Sequence, residues 1–321
     1  GPGLTPGACR ARHLHAGPMT GLGSLDAWLL AAAPATRLAA FRIVAGGFAV
    51  VYVVARSPTL WALANRPEES FAPVGVLGWM DRPPAPAVVL VALTLTVMVG
   101  LAFVLGWRFA LTGPLFAVAM LASATFHSSW GQLLHFENLV VLHVLVIGFS
   151  PSADALALRS DPPPPPSYRY GWPLRIAAIL TVGVYVIAGV AKLRIGGAEW
   201  LFGDSLRNHV AYSAARLDLL GASPSILART VIDWTWLFPP LAVTAVLIEL
   251  SAPVALVTRS LRNTWIGAVI VMHLAIAALL LVLFPYQALG FAFAPLFDLE
   301  VGAARLHGWI RRVPVTRRWA R

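Results

Sequence analysis

Eight apolar runs, most of them close to twenty residues long, divide this chain at roughly 37–55, 86–107, 109–126, 131–150, 172–193, 235–257, 264–284 and 286–298. A helix needs about 20 apolar residues to cross a bilayer's hydrocarbon core, whereas a spanning β-strand needs about ten of alternating character. Runs this long and unbroken predict helices. The rest of the chain does not offset them: 58% of the residues are apolar and 12% are charged, against about 25% charged in an ordinary soluble domain. So little charge does not coat a water-facing surface. A soluble enzyme, a disulfide-bonded secreted scaffold and a disordered chain are thereby excluded. The sequence predicts an all-α, polytopic transmembrane helical bundle. It has about eight spans, or seven if the short last run, which Pro285 cuts from its predecessor, is re-entrant.

Charge placement sets the expected topology. A net charge of +10 would point to nucleic acid in a soluble protein. Here the basic residues lie between and after apolar runs, so the expected partner is the lipid bilayer and no nucleic acid is expected. The tail after Glu300 carries six arginines and no acid, and the region before the first span carries Arg10, Arg12 and Arg37 against Asp26. By the positive-inside rule both ends are expected in the cytoplasm, which requires an even number of spans. The segment 194–234 then lies outside. In it Trp200, Leu201, Leu206, Val210 and Leu217 alternate with Asp204, Arg207, His209 and Arg216, the pattern of short amphipathic helices at the interface or capping the bundle. Residues 1–36 are read as a peripheral tail, disordered to about Thr20 and without a removable signal peptide, followed by a short interfacial helix that Ser24 caps. Pro162–Pro166 reads as a stiff spacer. Cys9 is the single cysteine, so no intrachain disulfide forms.

Ionisable side chains at membrane depth are costly and mark bundle interiors or wet cavities. Six stand out: His135, Glu137, His143, Lys192, Glu249 and His273. The histidines and Glu137 are metal-ligand types, but no Glu-x-x-His or His-x-x-x-His pairing occurs, and no metal site is expected. His143 and His273 read as interhelical hydrogen bonders. His135 and Asn138 share a face if the fourth span is helical from 135, and Glu137 points elsewhere. Glu249 reads equally as a proton carrier or a structural acid. Lys192 is the one lysine among 24 basic side chains. A snorkelling anchor is one reading, although arginine serves that role and Arg194 is adjacent. Lysine, unlike arginine, can give up its proton near physiological pH, so a base is the other reading. Both stay open on the residues alone.

The string Tyr185-x-x-Ala188-Gly189-Val190-x-Lys192-Leu193, followed by Trp200 and Gly203-Asp204-Ser205-Leu206, resembles the HTTM domain shared by vitamin K-dependent gamma-carboxylases and bacterial relatives. His135-x-x-Asn138-Leu139, Pro151-x-Ala-Asp154, His273 and Phe284-Pro285…Phe297-Asp298 extend the resemblance over 37–300, leaving 301–321 as a basic cytoplasmic tail. The resemblance implies a bacterial plasma-membrane protein with a vitamin K-like quinol as cofactor. It assigns Lys192 as the base that deprotonates the quinol and His135 as its assistant. It places Asn138, Tyr185, Trp200 and His273 around the cofactor. Oxygenation of the quinol then drives carboxylation of a glutamate. The carboxylases continue into a large lumenal portion that holds their protein substrate, whereas only 301–321 follow here, so propeptide-directed carboxylation is not expected. The alternative is a non-enzymatic membrane assembly or lipid-binding protein, with a transporter third. No protein partner is identified from the sequence.

Overall fold

The computed structural model describes residues 21–133, 135–158 and 162–302. The early tail, with Cys9, and nearly all of the arginine-rich tail fall outside them. Among the described residues there are helices and no strands; the one β-type contact is an isolated bridge between Ala33 and Ser167. A peripheral α1 (Gly21–Leu29) precedes the bundle. Ser24 lies inside α1 and is therefore not its cap, a correction to the sequence reading.

Five helices are long and apolar enough to cross a membrane: α2 (Ala35–Ala64), α3 (Pro86–Leu105), α4 (Phe109–Ser128), α6 (Tyr168–Phe202) and α10 (Arg259–Leu280). Their rise of 1.5 Å per residue carries 20 residues about 30 Å, the thickness of the hydrocarbon core. α2 runs on through Pro58 to Ala64, so the loop after it is shorter than the apolar run predicted. Two shorter apolar helices complete the set, α5 (Asn138–Gly148) and α9 (Phe238–Leu250). α5 is buried along most of its length, through Leu139, Val140, Val141, His143, Val144 and Ile147. Neighbouring helices enclose it, so its length need not match the bilayer. α9 ends because Pro253 restricts the residue before it. The Ile248 carbonyl near this end accepts from Trp265 Nε1–H at 2.9 Å.

The last apolar run is not one helix. α11 (Pro285–Ala288) and a 3₁₀ segment, Phe291–Leu296, pass back through the bundle. Arg37, at the start of α2, closes this pass with ion pairs to Asp298 at 2.7 Å and Glu300 at 2.6 Å.

Two buried polar centres hold the passes together. His143 Nε2–H donates to the Ala177 carbonyl at 3.1 Å, and its Nδ1 accepts from Tyr286 at 2.8 Å. The tautomer follows from the carbonyl, which can only accept. His143 thus bridges α5, α6 and the last pass. Arg42, absent from the membrane-depth residues singled out by sequence, is 0% exposed. It donates to the Ser152 carbonyl at 2.5 Å and to that of Leu156 at 2.6 Å, fixing the loop after α5.

α7 (Ser205–Leu219) and α8 (Ile226–Val231) form a cap where α10 ends. The last carbonyls of a helix lack intrahelical partners. Here Ser213 donates to Leu280 O at 2.7 Å and Ser225 to Ala278 O at 2.5 Å. The amphipathic cap predicted for 194–234 is therefore present, with Val210, Ala228, Val231 and Phe238 as its small core.

Candidate functional site

Tyr185, Gly189 and Lys192 stand at i, i+4 and i+7 on α6 and so share one face. That face packs on α9, where a Cβ on Gly189 would lie 2.9 Å from Leu250 Cδ2 and 3.1 Å from Glu249 Cβ. Only glycine lets the helices approach this closely. The approach brings the Lys192 ammonium into a direct ion pair with Glu249, their side chains 25% and 7% exposed. Glu249 uses one oxygen on Lys192; the other, Oε2, is buried without a partner among the described residues, as are the Tyr185 hydroxyl and Trp200 Nε1.

α6 breaks at Gly197, whose φ of 53° lies in the left-handed region that glycine adopts without strain. The chain turns there and lays the Trp200 ring 5.7 Å from Lys192 Nζ. Beyond the break, α7 closes one side of a cavity of about 560 Å³. Ile195, Lys192 and Trp200 line it from α6, and Asn208, His209 and Tyr212 line it from α7. Its walls are mostly apolar and aromatic, as in most small-molecule sites, with Lys192 as the charged group among them, and neither Glu249 nor Tyr185 is part of the lining.

The other residues singled out by sequence are arranged around this cavity rather than in it. His135 occupies a 3₁₀ turn ahead of α5, so the helical face it was expected to share with Asn138 does not form. Both residues are exposed, and neither lines the cavity. The His135 ring lies 5.5 Å from that of Phe284, which lies 5.0 Å from that of His273. His273 in turn meets Tyr185 edge-on at 5.9 Å. His273 Nδ1–H donates to Val269 O at 2.9 Å, a bond within its own helix rather than the interhelical bond expected.

A family model described as HTTM domain matches residues 31–299. The chain belongs to the HTTM-domain family. It is a multi-pass integral membrane protein of that family. No curated protein and no solved structure matches it.

At the same end of this HTTM domain the structure adds a second polar cluster. Glu137 is buried. Its Oε1 accepts from the Tyr52 hydroxyl at 2.6 Å and from His127 Nδ1 at 2.7 Å. Arg56 donates to the Tyr52 oxygen at 3.1 Å and lies 5.6 Å from the Phe136 ring. Tyr52, Arg56 and His127 were not singled out by sequence. Among the described residues no group of three or more acidic, histidine or cysteine side chains converges as a metal site would require.

Proposed function

We propose that this HTTM domain is a membrane-embedded enzyme that abstracts a proton from a quinol-class compound, with the Lys192–Glu249 pair as its base. One observation carries the reading: the chain's single lysine meets a buried carboxylate at the wall of a largely apolar cavity. The residues present suit such a compound, because Trp200 Nε1 in the lining is a buried polar atom without a partner among the described residues, as are Glu249 Oε2 and the Tyr185 hydroxyl on the packed α6–α9 face next to the cavity. Buried polar groups otherwise find partners almost without exception. When bound, a quinol supplies two weakly acidic hydroxyls on an apolar ring, and its oxidation powers carboxylation in the carboxylases that the chain resembles.

Ile195, Trp200 and Tyr212 would hold the ring by apolar and aromatic contact. Asn208 and His209 would orient its polar substituents. An isolated ammonium is a poor base, but a proton moving from Lys192 Nζ to Glu249 leaves a neutral amine and a neutral acid. A low-dielectric setting narrows the gap between that state and the ion pair. The neutral amine then accepts the proton. His135 takes its assisting role from the resemblance, and the rings of Phe284 and His273 lie between it and Tyr185. We further propose a bacterial plasma-membrane setting with both termini cytoplasmic. The arginine-rich tail supports it, as do Arg37, Arg108, Arg259 and Arg262 at the opposite end of the bundle from Lys192.

The test is Lys192→Arg in membranes assayed for quinol-dependent oxygen uptake or carbon dioxide fixation. Arginine keeps the cation and the anchor but not the removable proton, so activity is expected to vanish while expression persists. Wild-type activity in that variant would reassign Lys192 to anchoring. A non-enzymatic reading has one observation in its favour, since an ion pair joining α6 to α9 also serves as a structural clamp. Lipid extraction and mass spectrometry of the purified protein separate the readings, a copurifying quinone being expected only from the enzyme.

A further inference from the structure

We propose that the end of the bundle opposite Lys192 holds a binding site for a phosphate group, built from Arg37, Arg175 and Arg262. Three helices begin there, and each contributes one arginine: α2, α6 and α10. The three side chains line a pocket of about 150 Å³, closed by Trp28 of α1 and by Pro295 and Leu296 of the last pass. Both nearby carboxylates are already used, Asp298 and Glu300 pairing with Arg37. Arg175 has only the Ala31 carbonyl, at 2.9 Å, and the Trp28 ring, 5.7 Å from its guanidinium. Arg262 has the Phe297 ring at 5.0 Å, and its Nε is buried with no partner among the described residues. No carboxylate among the described residues pairs with either.

Two cations without a counter-charge among the described residues therefore face one small pocket beside a third. Arg37 and Arg262 also sit in the first turns of their helices, where the backbone already presents a positive end. Such an arrangement is unfavourable until an anion occupies it. A guanidinium presents a planar fork that suits phosphate oxygens two at a time. Leu25 of α1 and Leu30 just after it are exposed at 55% and 52%, as suits a short helix lying at headgroup depth beside the pocket mouth. A phospholipid phosphate reaches that depth directly. Free phosphate has the same recognition chemistry.

The purified full chain in a neutral detergent tests this by thermal unfolding, with phosphatidylglycerol, phosphatidylcholine or inorganic phosphate added. A ligand that binds only the folded protein raises Tm with its concentration. Phosphatidylglycerol is expected to raise Tm, and phosphatidylcholine to do so far less. Arg262→Gln should weaken the apparent affinity about fivefold, the value of one basic contact at a lipid surface, and Arg175→Gln with Arg262→Gln should abolish it. Arg259→Gln, exposed and outside the pocket, should change nothing. An equal response to inorganic phosphate supports the site and assigns it to a soluble anion. Arg262→Lys keeps the charge without the fork, so a partial loss is expected there even if the glutamine variant folds poorly. No response to either phosphate source, or a lipid response intact in the double variant, would overturn the proposal.

Discussion

Lys192 and Glu249 are separated by 57 positions in sequence, and their pairing changes what each can do. Alone, Lys192 is a cation near the membrane edge; against Glu249 it gains an acceptor for its proton. Glu249→Gln should cost about 1–3 kcal/mol of stability, because it leaves a partly buried ammonium without its counter-charge. The double change Lys192→Met with Glu249→Gln removes both charges and should recover much of that loss, as replaced ion pairs often do. Thermal unfolding of the three proteins checks the stability cycle. Activity should be absent from both variants, so recovered stability with no recovered activity in the double variant separates chemistry from clamping. Arg42 makes a different case. Among the described residues it has no carboxylate, only backbone carbonyls and the Phe109 ring, and Arg42→Leu strands those carbonyls in the interior. Each buried, unpaired carbonyl costs roughly 1–3 kcal/mol, so a Tm fall larger than that of any exposed arginine variant is expected. Lys192 was legible because it is the only lysine in an arginine-rich chain. Arg42 was not, because an arginine five residues from Arg37 reads as part of the basic flank of the first span.

Among the elements, α6 and α9 define the site, and Gly189 sets their separation. Gly189→Leu adds atoms where Leu250 and Glu249 already stand. Overpacking of this kind typically costs about 1–3 kcal/mol. The expected outcome is a lowered Tm together with loss of whatever activity depends on the Lys192–Glu249 pair, while Gly183→Leu, in open space on the same helix, leaves both nearly unchanged. The long helices were legible as apolar runs, since twenty apolar residues permit few alternatives. The short ones were misjudged in length. α5 begins three residues after His135 because the chain enters it through a 3₁₀ turn, and apolarity alone does not distinguish turn from helix. The cap shows where pattern was read correctly and its meaning missed. Ser205, Asn208, His209 and Tyr212 fall at i, i+3, i+4 and i+7 of α7, one continuous stripe. A polar stripe on an amphipathic helix ordinarily faces water. Here it lines the open cavity while Asn208, His209 and Tyr212 stay exposed, and Val210 on another face turns into the cap's core. Only knowing what lies opposite the stripe decides between the two.

At the scale of the whole molecule, the described helices sort the polar chemistry to two ends. Lys192, Glu137, His127 and the α7–α8 cap lie at one end; Arg37, Arg175, Arg262 and the Asp298–Glu300 latch lie at the other. The latch carries its own pH dependence. Burial pushes the Glu300 carboxyl up, but the hydrogen bond and charge of Arg37, with a backbone N–H, outweigh it and hold it below the ordinary 4.5. A depressed carboxyl contributes stability above its unfolded value and loses it as pH falls through the folded one. The latch should therefore hold at neutral pH and weaken only below about 4.5. Being partly exposed, it is worth at most about 1 kcal/mol, and Arg37→Gln should flatten that acid limb of a Tm-against-pH curve. The two ends also make the orientation testable. The arginine end matches the side on which basic loops are retained, so the proposed orientation has the Lys192 cavity outside. With Cys9 replaced by serine, the chain has no thiol, and single cysteines can be placed at will. Leu219→Cys lies at the exposed end of α7, and Ser260→Cys in the exposed turn that opens α10. A membrane-impermeant thiol reagent added to intact cells should label Leu219→Cys at once and Ser260→Cys only after permeabilisation. The opposite order would turn the molecule over. The Lys192–Glu249 site would then draw its substrates from the cytoplasm, and the arginine pocket would face the leaflet poorer in anionic lipid.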